Sequence, residues 1–439
     1  MFYLNKEQEL TPELLFKMIG RFNLQVLPRL QVYKNYYDGK HNIIKKTYTD
    51  PNKPCCRAVV NYCANIVNHF TGYLASPGFI SYVSDDNISE ILEILRYNDY
   101  KTQDAEMLTN ALIYGVAAEL MYIDSDGQTR FKQIDPTTCF GICDDSLTGD
   151  LMYFVRMYPE SEWDDSALIN VDVYDDTSVK HYQTVGENGI LQFKGEERHY
   201  FAQCPANILV LTDEKSIFDC ILSLQDAYNE TLSSEIDEYS QFADCYLTLT
   251  GVDAEAEDLA AMKENRVIIL PEGANAAWLT KAPNDTQVEN ILKRIHDSIY
   301  RIAQCPDFSA ENFVSGVSSG VAIRYRLTGC ENRAGGIEAQ MRKALQRRIE
   351  IICGIASLKL GEEVFRDIVI DFKRNVPEDM AQTISLINGL KGTVSDSTLL
   401  SQLDFIQDVD KELEALDEQK QRNMAIYSFA PTTDEGEDD

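Results

Sequence analysis

A chain of 439 residues is too long for one core to serve easily, so two or more structural regions are expected. Hydrophobic residues make up 44% and charged residues 25%, an ordinary globular balance, but 71 acidic against 40 basic residues leave a formal net charge of −31. Such a surface repels phosphate on average, which argues against a simple nucleic-acid binder; solubility is the plain reading of the charge. The 11 cysteines are odd in number and sit mostly in apolar stretches, as Cys63, Cys220, Cys245 and Cys353 do, so they read as core thiols of a reducing compartment rather than a disulfide framework. The start, MFYLNKEQELTPELL, has no basic segment followed by an apolar run, and no stretch approaches the roughly 18 apolar residues of a membrane span. A soluble, intracellular protein without membrane contact is expected.

In chain order, Thr11-Pro12-Glu13 predicts a helix start over 11–35, with Leu14, Leu15, Met18, Ile19 and Phe22 at helical spacing. A second helix is predicted over Val59–Leu74, ended by Ser76-Pro77-Gly78, and a third over Ser89–Ile113. Strand-like runs at Glu119–Ile123 and Thr129–Ile134 flank the turn signal Asp124-Ser-Asp-Gly127. Further strand-like runs follow at 151–158, 168–174, 179–184 and 189–193, which makes the first half α+β.

The texture then changes. From Ser216 to Ala243, Ile217, Ile221, Leu224, Tyr228, Leu232, Ile236 and Tyr239 recur three or four apart, the pattern of an amphipathic helix. Such a helix is roughly 40 Å long at 1.5 Å per residue. A second long helix is read over Asp285–Gln304 through Val288, Ile291, Leu292, Ile295, Ile299 and Ile302. Between them lies a small insert: strand-like Cys245–Leu249, a short helix near 254–263, strand-like Val267–Leu270 and the pair Trp278-Leu279. After a loop at 305–320, a third long helix spans Gly335–Leu358 with Ile337, Met341, Leu345, Ile349, Ile352 and Ile355 on one face, and a strand follows at Ile368–Phe372. The end from Pro377 is helical and acidic, with twelve acids against three bases from Asp404 to Asp439. The last six residues read as a solvated, disordered tail.

Little of this carries catalytic chemistry. Gly316-Val-Ser318-Ser-Gly320 fits the nucleophile-elbow pattern, but it follows a loop-like segment and no histidine occurs after His296, so a Ser–acid–His order cannot be completed. Cys55, Cys56, Cys63 and His69 lack zinc-site spacing, as do Cys139 and Cys143. Asp124-x-Asp126-Gly127 lacks the later ligands of a calcium loop, and no phosphate-binding G-x-x-x-x-G-K-[ST] loop exists. No cofactor, metal or enzymatic activity is expected. One cluster opposes the acidic trend: Arg324, Arg326, Arg333, Arg342, Lys343, Arg347 and Arg348 fall within 25 residues that hold only Glu331 and Glu338. It reads either as phosphate contact or, more in keeping with so acidic a protein, as pairing with acidic faces of the same or a neighbouring subunit.

Several stretches, in order, resemble the portal proteins of tailed phages, of the type found in a Bacillus siphophage. They are Tyr36-Tyr-Asp-Gly-Lys-His41, Arg57-Ala-Val-Val-Asn-Tyr62, Thr71-Gly-Tyr-Leu74, Asp104-Ala-Glu106 with Ile113-Tyr-Gly-Val-Ala-Ala-Glu-Leu120, Asp307-Phe-Ser-Ala-Glu-Asn-Phe313, Ser318-Ser-Gly-Val-Ala322, and Phe372-Lys-Arg-Asn375 before Pro377. Cys55-Cys56 stands where the family usually has polar residues. The resemblance implies the α+β portal fold: a wing at 1–215 and 321–376, stem helices at 216–243 and 284–304, a clip at 244–283, a tunnel loop at 305–320, and a crown with acidic tail at 377–439. It further implies a dodecameric ring at one capsid vertex of the virion, assembled in the host cytoplasm, through which double-stranded DNA is packaged and ejected. Asp307, Phe308, Asn312, Phe313, Ser318 and Ser319 would then face DNA. The implied partners are the terminase large subunit, head-completion adaptors, and the major capsid and scaffolding proteins. A head–tail adaptor is the alternative, but such proteins are usually shorter and lack paired stem helices.

Overall fold

A computed structural model describes residues 1–50, 53–76, 80–84, 87–161, 163–164, 168–185, 190–242, 246–250, 273, 275–279, 285–307, 320–360, 368–374, 387–400 and 409–428. The chain divides into two compact units, Met1–Asn375 and Val376–Asp439. Both helix and sheet are abundant, as an α+β composition requires.

The larger unit opens with strand β1 (Phe2–Leu4) and helix α1 (Pro12–Arg21). Thr11 caps α1, its hydroxyl accepting from the Leu14 N–H at 3.3 Å, as expected for this residue type before proline. A π turn at Phe22–Val26 passes directly into α2 (Leu27–Tyr37), so the predicted single helix carries a local unwinding where Pro28 cannot donate. Helix α3 (Tyr62–Leu74) starts three residues later than predicted, because the Asn61 side chain accepts from Ala64 N–H and fixes the start.

The predicted helix over 89–113 is two helices, α4 (Ser89–Tyr97) and α5 (Tyr100–Tyr114). Asp99 between them sits at φ 49°, and Asn98 turns its side chain inward. Buried Asn98 donates to Ile94 O at 2.8 Å and Thr129 O at 2.9 Å and accepts from Phe131 N–H at 3.1 Å, fastening the break to a neighbouring strand. Asn98→Ala leaves those strand groups buried and unpaired, and a loss of about 2–3 kcal/mol is expected in denaturant unfolding. A loss well under 1 kcal/mol would show that these bonds do not hold the strand.

Three sheets of this unit follow. Strands β3 (Val116–Ile123) and β4 (Thr129–Ile134) form the predicted hairpin, its turn held by Asp124 Oδ1 accepting from Asp126 N–H and Gln128 N–H. Before it, β2 (Ile80–Val83) pairs antiparallel with the distant β13 (Val369–Phe372), close to the strand expected at 368–372. Strands β5 (Cys139–Asp144), β6 (Leu151–Pro159), β7 (Ile169–Tyr174), β8 (Ser178–Val185) and β9 (Ile190–Arg198) form, with β1, a six-stranded sheet in the order β1-β5-β6-β7-β8-β9. Only β1 runs parallel to its neighbour. Strand β10 (Ala206–Val210) completes a three-stranded sheet, β10-β3-β4.

The strands β1, β2, β5 and β10 were not anticipated. The residues of β5 are buried throughout, so they show no alternation to read. The two larger sheets meet in a core of Ala118, Leu120, Cys139, Phe154, Cys204 and Ala206. Gly141 lets them approach: a Cβ there would fall 2.4 Å from Ile208 Cδ1 and 2.8 Å from Leu151 Cδ1.

Two long helices then run side by side, α6 (Leu222–Phe242) and α7 (Asp285–Ala303). Helix α6 begins six residues later than predicted, since Ser216–Ile221 are spent on a buried turn. Of the insert, β11 (Tyr246–Thr250) and β12 (Asn275–Leu279) pair antiparallel with Leu247 opposite Trp278. The expected short helix near 254–263 and strand at 267–270 lie outside the described residues. Helix α8 (Gly320–Leu360) is 41 residues long, fifteen residues earlier in start than predicted. Its face of Ile337, Met341, Leu345, Ile349 and Ile352 is buried as expected. The second unit contains α9 (Asp396–Leu400) and α10 (Val409–Ser428), while the acidic end at 429–439 lies outside the described residues.

Candidate functional site

The surface of α6 that packs on the body is polar, not apolar. Gln225, Asn229, Ser233 and Asp237, spaced one turn apart, are all buried. Each accepts a backbone N–H from the extended segment 54–62: Gln225 Oε1 from Tyr62 at 3.0 Å, Asn229 Oδ1 from Val60 at 3.1 Å, Ser233 Oγ from Ala58 at 3.0 Å, and Asp237 from Cys56. The match is geometric. Four helical residues rise about 6.0 Å and two extended residues about 6.6 Å, so alternate N–H groups of a strand meet successive turns of a helix. The segment is thus bonded to helix side chains as a strand is bonded to a sheet. Lys46 closes the far end, 3.3 Å from Asp237 and 3.2 Å from Glu230. Burial pushes the Asp237 carboxyl upward, but the Cys56 N–H, Tyr48 hydroxyl and Lys46 ammonium together hold it below the usual carboxylate range.

Of the apolar stripe read from sequence, Leu224, Tyr228 and Leu232 are half-buried, and the outward part is its last turn. Tyr239 is 78% exposed and Ile236 38%. On α7, Ile299 is buried, yet Ile291 and Ile302 are exposed. Near the root of the pair, Tyr62, His296 and Tyr300 form an aromatic cluster, and Tyr33 and Tyr36 of α2 donate to Asp219 and Asp226 at 2.7 Å.

Helix α8 is fixed by its arginines. Arg333 donates to Ile217 O and to Ala303 O, tying the roots of both long helices, and lies over the Phe70 ring. Arg342 donates to Ile370 O of β13 and pairs with Glu338 at 2.5 Å. Arg347 reaches Gln203 and Glu350. Arg348 is wholly buried, with Glu119 of β3 at 2.8 Å and Asp104 of α5 beside it, and it lies over the Phe131 ring. Gln133 and Asn207 donate to the same Glu119 carboxylate. Burial, outweighing Arg348, holds the Asp104 carboxyl above its usual range. Of the basic cluster read from sequence, Arg342, Arg347 and Arg348 are engaged within the chain, so the guanidinium of Arg348 has no access to phosphate. Lys343 is exposed. The side chains of Arg324 and Arg326 lie outside the described residues.

Among the residues expected to face DNA, only Asp307 is described. It lies at the root of the long helices, 3.5 Å from His296 Nε2. Phe308, Asn312, Phe313, Ser318 and Ser319 fall outside the described residues, as does the Gly316–Ser318 part of the elbow-like motif. Among the described residues no group of three His, Cys, Asp or Glu is placed to hold a metal ion, and no helix is long and apolar enough to cross a membrane. Burial pushes the Cys330 and Cys353 thiols up to about 11, away from thiolate chemistry.

The α6 ladder and the Arg348 cluster escaped sequence reading. A faint signal existed for the first, in the i+4 repetition of Gln225, Asn229, Ser233 and Asp237 opposite the apolar stripe. None existed for the second, whose members are 244 residues apart at the extremes.

Two long paired helices are rooted in an α+β body, with a small paired-strand insert between them. The sequence matches the phage portal proteins of the SPP1 Gp6-like family over residues 22–425, and the chain belongs to that family. It is similar to the portal protein of Bacillus phage SPP1, with 22% identity over 399 residues that cover 85% of this chain and 78% of the relative. Its role is that of a portal, a virion component at the capsid vertex serving DNA packaging.

Proposed function

We propose that copies of the chain close into a dodecameric ring whose bore passes double-stranded DNA during packaging and ejection. The observation that carries the ring is the unlike character of the two exposed helix faces. Helix α6 carries Glu230, Glu235 and Glu238 and no basic residue, around exposed Ile236 and Tyr239. Helix α7 exposes Lys293, Arg294 and Arg301 beside Ile291 and Ile302, with Glu289 and Asp297 among them. Faces that are apolar at the centre, one acidic and the other offering cations, suit head-to-tail contact between α6 of one copy and α7 of the next, the arrangement that closes into rings. Ile236→Lys with Tyr239→Lys is expected to give a folded monomer by light scattering and circular dichroism. Rings of unchanged size in electron micrographs would overturn this interface.

In this reading residues 1–215 and 321–376 are the wing, 216–243 and 284–304 the stem, 244–283 the clip, 305–320 the tunnel loop and 377–439 the crown with its tail. The clip presents the docking surface for the terminase large subunit and later for head-completion adaptors, and the outer surface meets the capsid and scaffolding proteins. Assembly takes place in the host cytoplasm. The acidity gives the conduit its property: negative walls do not grip phosphates, so the duplex slides. Asp307, Phe308, Asn312, Phe313, Ser318 and Ser319 make the brief contacts with DNA, Asp307 fixing the loop's start through His296. Deleting 309–318 is expected to leave rings intact and reduce packaged DNA about a hundredfold, read by nuclease protection. Loss of ring formation instead would contradict the loop's assigned role.

A further inference from the structure

We propose that the buried cluster around Arg348 is a water-binding site, holding one ordered water on each of two amide oxygens and a third against Asp104. The site is built on one row of the β10-β3-β4 sheet. Glu119 lies directly opposite Gln133 on one side and Asn207 on the other, and each of the three is more than nine-tenths buried. Their neighbours two residues away on the same face, Ala117, Met121, Phe131 and Leu209, are buried and apolar, so the row is a polar island under α8. Its bonds leave a defined remainder. Glu119 Oε1 accepts from Gln133 at 2.9 Å and Arg348 Nη2 at 2.8 Å, and Oε2 from Asn207 at 3.3 Å and Arg348 Nε at 2.9 Å. The Asn207 amide nitrogen is shared with Ala344 O of α8 at 2.9 Å. Both carboxamide nitrogens are thus committed to acceptors, and neither group can turn over. Gln133 Oε1 and Asn207 Oδ1 are left buried with no donor among the described residues.

Arg348 has the converse surplus. Its Nε, Nη1 and Nη2 make one bond each to the two carboxylates, so each terminal nitrogen keeps a second N–H. Nη2 and the Gln133 amide meet on the same Glu119 oxygen, so one water can accept from the first and donate to Gln133 Oε1. Asp104 supplies the third place. Its Oδ1 takes Arg348, while Oδ2 has the Tyr82 hydroxyl only at 3.5 Å. Ser76, Tyr100, Lys101 and Asp104, with Ala75 and Ile80, line a cavity of about 10 Å³, close to the least that admits one water, and offer it polar partners. Water fits here where a cation does not. The amide oxygens flank Glu119 from different strands, and its own oxygens are already used, so the roughly six oxygens of a hard cation gather nowhere. The one carboxylate in excess of Arg348 needs no cation either, since burial favours the protonated form of Asp104. The site belongs to the body of each copy and does not rest on the portal reading.

A density map of the purified full-length protein, at a resolution that shows ordered solvent, tests the site directly. Peaks are expected about 2.7–3.2 Å from Gln133 Oε1, Asn207 Oδ1 and Asp104 Oδ2. Gln133→Met keeps a side chain of similar length and removes the oxygen, and its map is expected to lose the first peak and keep the other two. Ala75→Val fills part of the small cavity and is expected to remove the third peak alone. Bare amide oxygens in a wild-type map that shows other internal waters would overturn the proposal. A peak about 2.3–2.6 Å from six or more oxygens would be a cation, and would overturn it equally. If either variant fails to fold, the wild-type map decides alone.

Discussion

Arg348→Met lowers the stability of the larger unit by about 3–5 kcal/mol, the largest single loss expected anywhere in the chain. The guanidinium is wholly buried between Asp104 and Glu119, and it donates to both. Methionine fills much of the same volume, so the loss measures charge rather than packing. Two carboxylates are left facing each other in a dry interior, and one must take up a proton or the core must open to water. Guanidinium unfolding of the variant checks the size of the effect. Adding Asp104→Asn and Glu119→Gln to Arg348→Met removes the uncompensated charges, and recovery of more than half the loss is expected. No recovery would assign the effect to packing.

The same cluster predicts a pH response. Burial raises the folded Asp104 pKa above the ordinary carboxylate value, despite Arg348. A raised folded pKa means that its contribution is fully present below the unfolded value near 3.8 and is lost as pH rises through the folded value. Asp104→Asn keeps the hydrogen-bonding shape without the titration. The variant should therefore gain on the wild type as pH rises from 4 upward, and parallel stability curves would contradict the assignment.

Gly115→Ala is the second large effect, a loss of about 3 kcal/mol or more. Gly115 ends α5 at φ 79°, a region that costs an L residue strain by itself. Its Cβ would also fall 2.4 Å from the Glu214 carbonyl carbon and 2.5 Å from Lys215 N, backbone atoms with no rotamer to yield. Those atoms are in turn constrained, since Asp213 and Glu214 both hold positive φ and the Leu211 N–H donates to Gly115 O at 2.9 Å. Leu211 to Ile217 lead into α6, so the substitution should disturb the root of the stem as well as α5. Thermal unfolding together with exchange at Ile217 N–H, bonded to Leu112 O, checks both. A change below 1 kcal/mol would mean that the loop re-forms at little cost.

The helices were legible because their signals are local. Thr11 before Pro12, and the Ile337-to-Ile352 face of α8, specify their elements without reference to the rest of the chain. The hairpin at Asp124–Gly127 was legible for the same reason. What escaped reading is non-local. Strand β2 finds its partner in β13, and β10 finds β3, across separations that no periodicity encodes. The buried face of α6 was not read because it is polar: Gln225, Asn229, Ser233 and Asp237 look like helix-surface residues until segment 54–62 lies against them. The arginines of α8 were visible as a cluster, but their partners Asp104, Glu119 and Ile370 O were not, since ordinary residues become partners only in the fold. The family resemblance, resting on short ordered segments, needed none of these contacts.

Helix α8 is pinned at Arg333, Arg342 and Arg348, a span of about 22 Å along its axis. Three fixed points on one stiff rod leave it no freedom to pivot, so β3, β13, α5 and the roots of α6 and α7 move with it as one frame. Load applied at the Gly320 end is then shared across the whole body instead of bending a single joint.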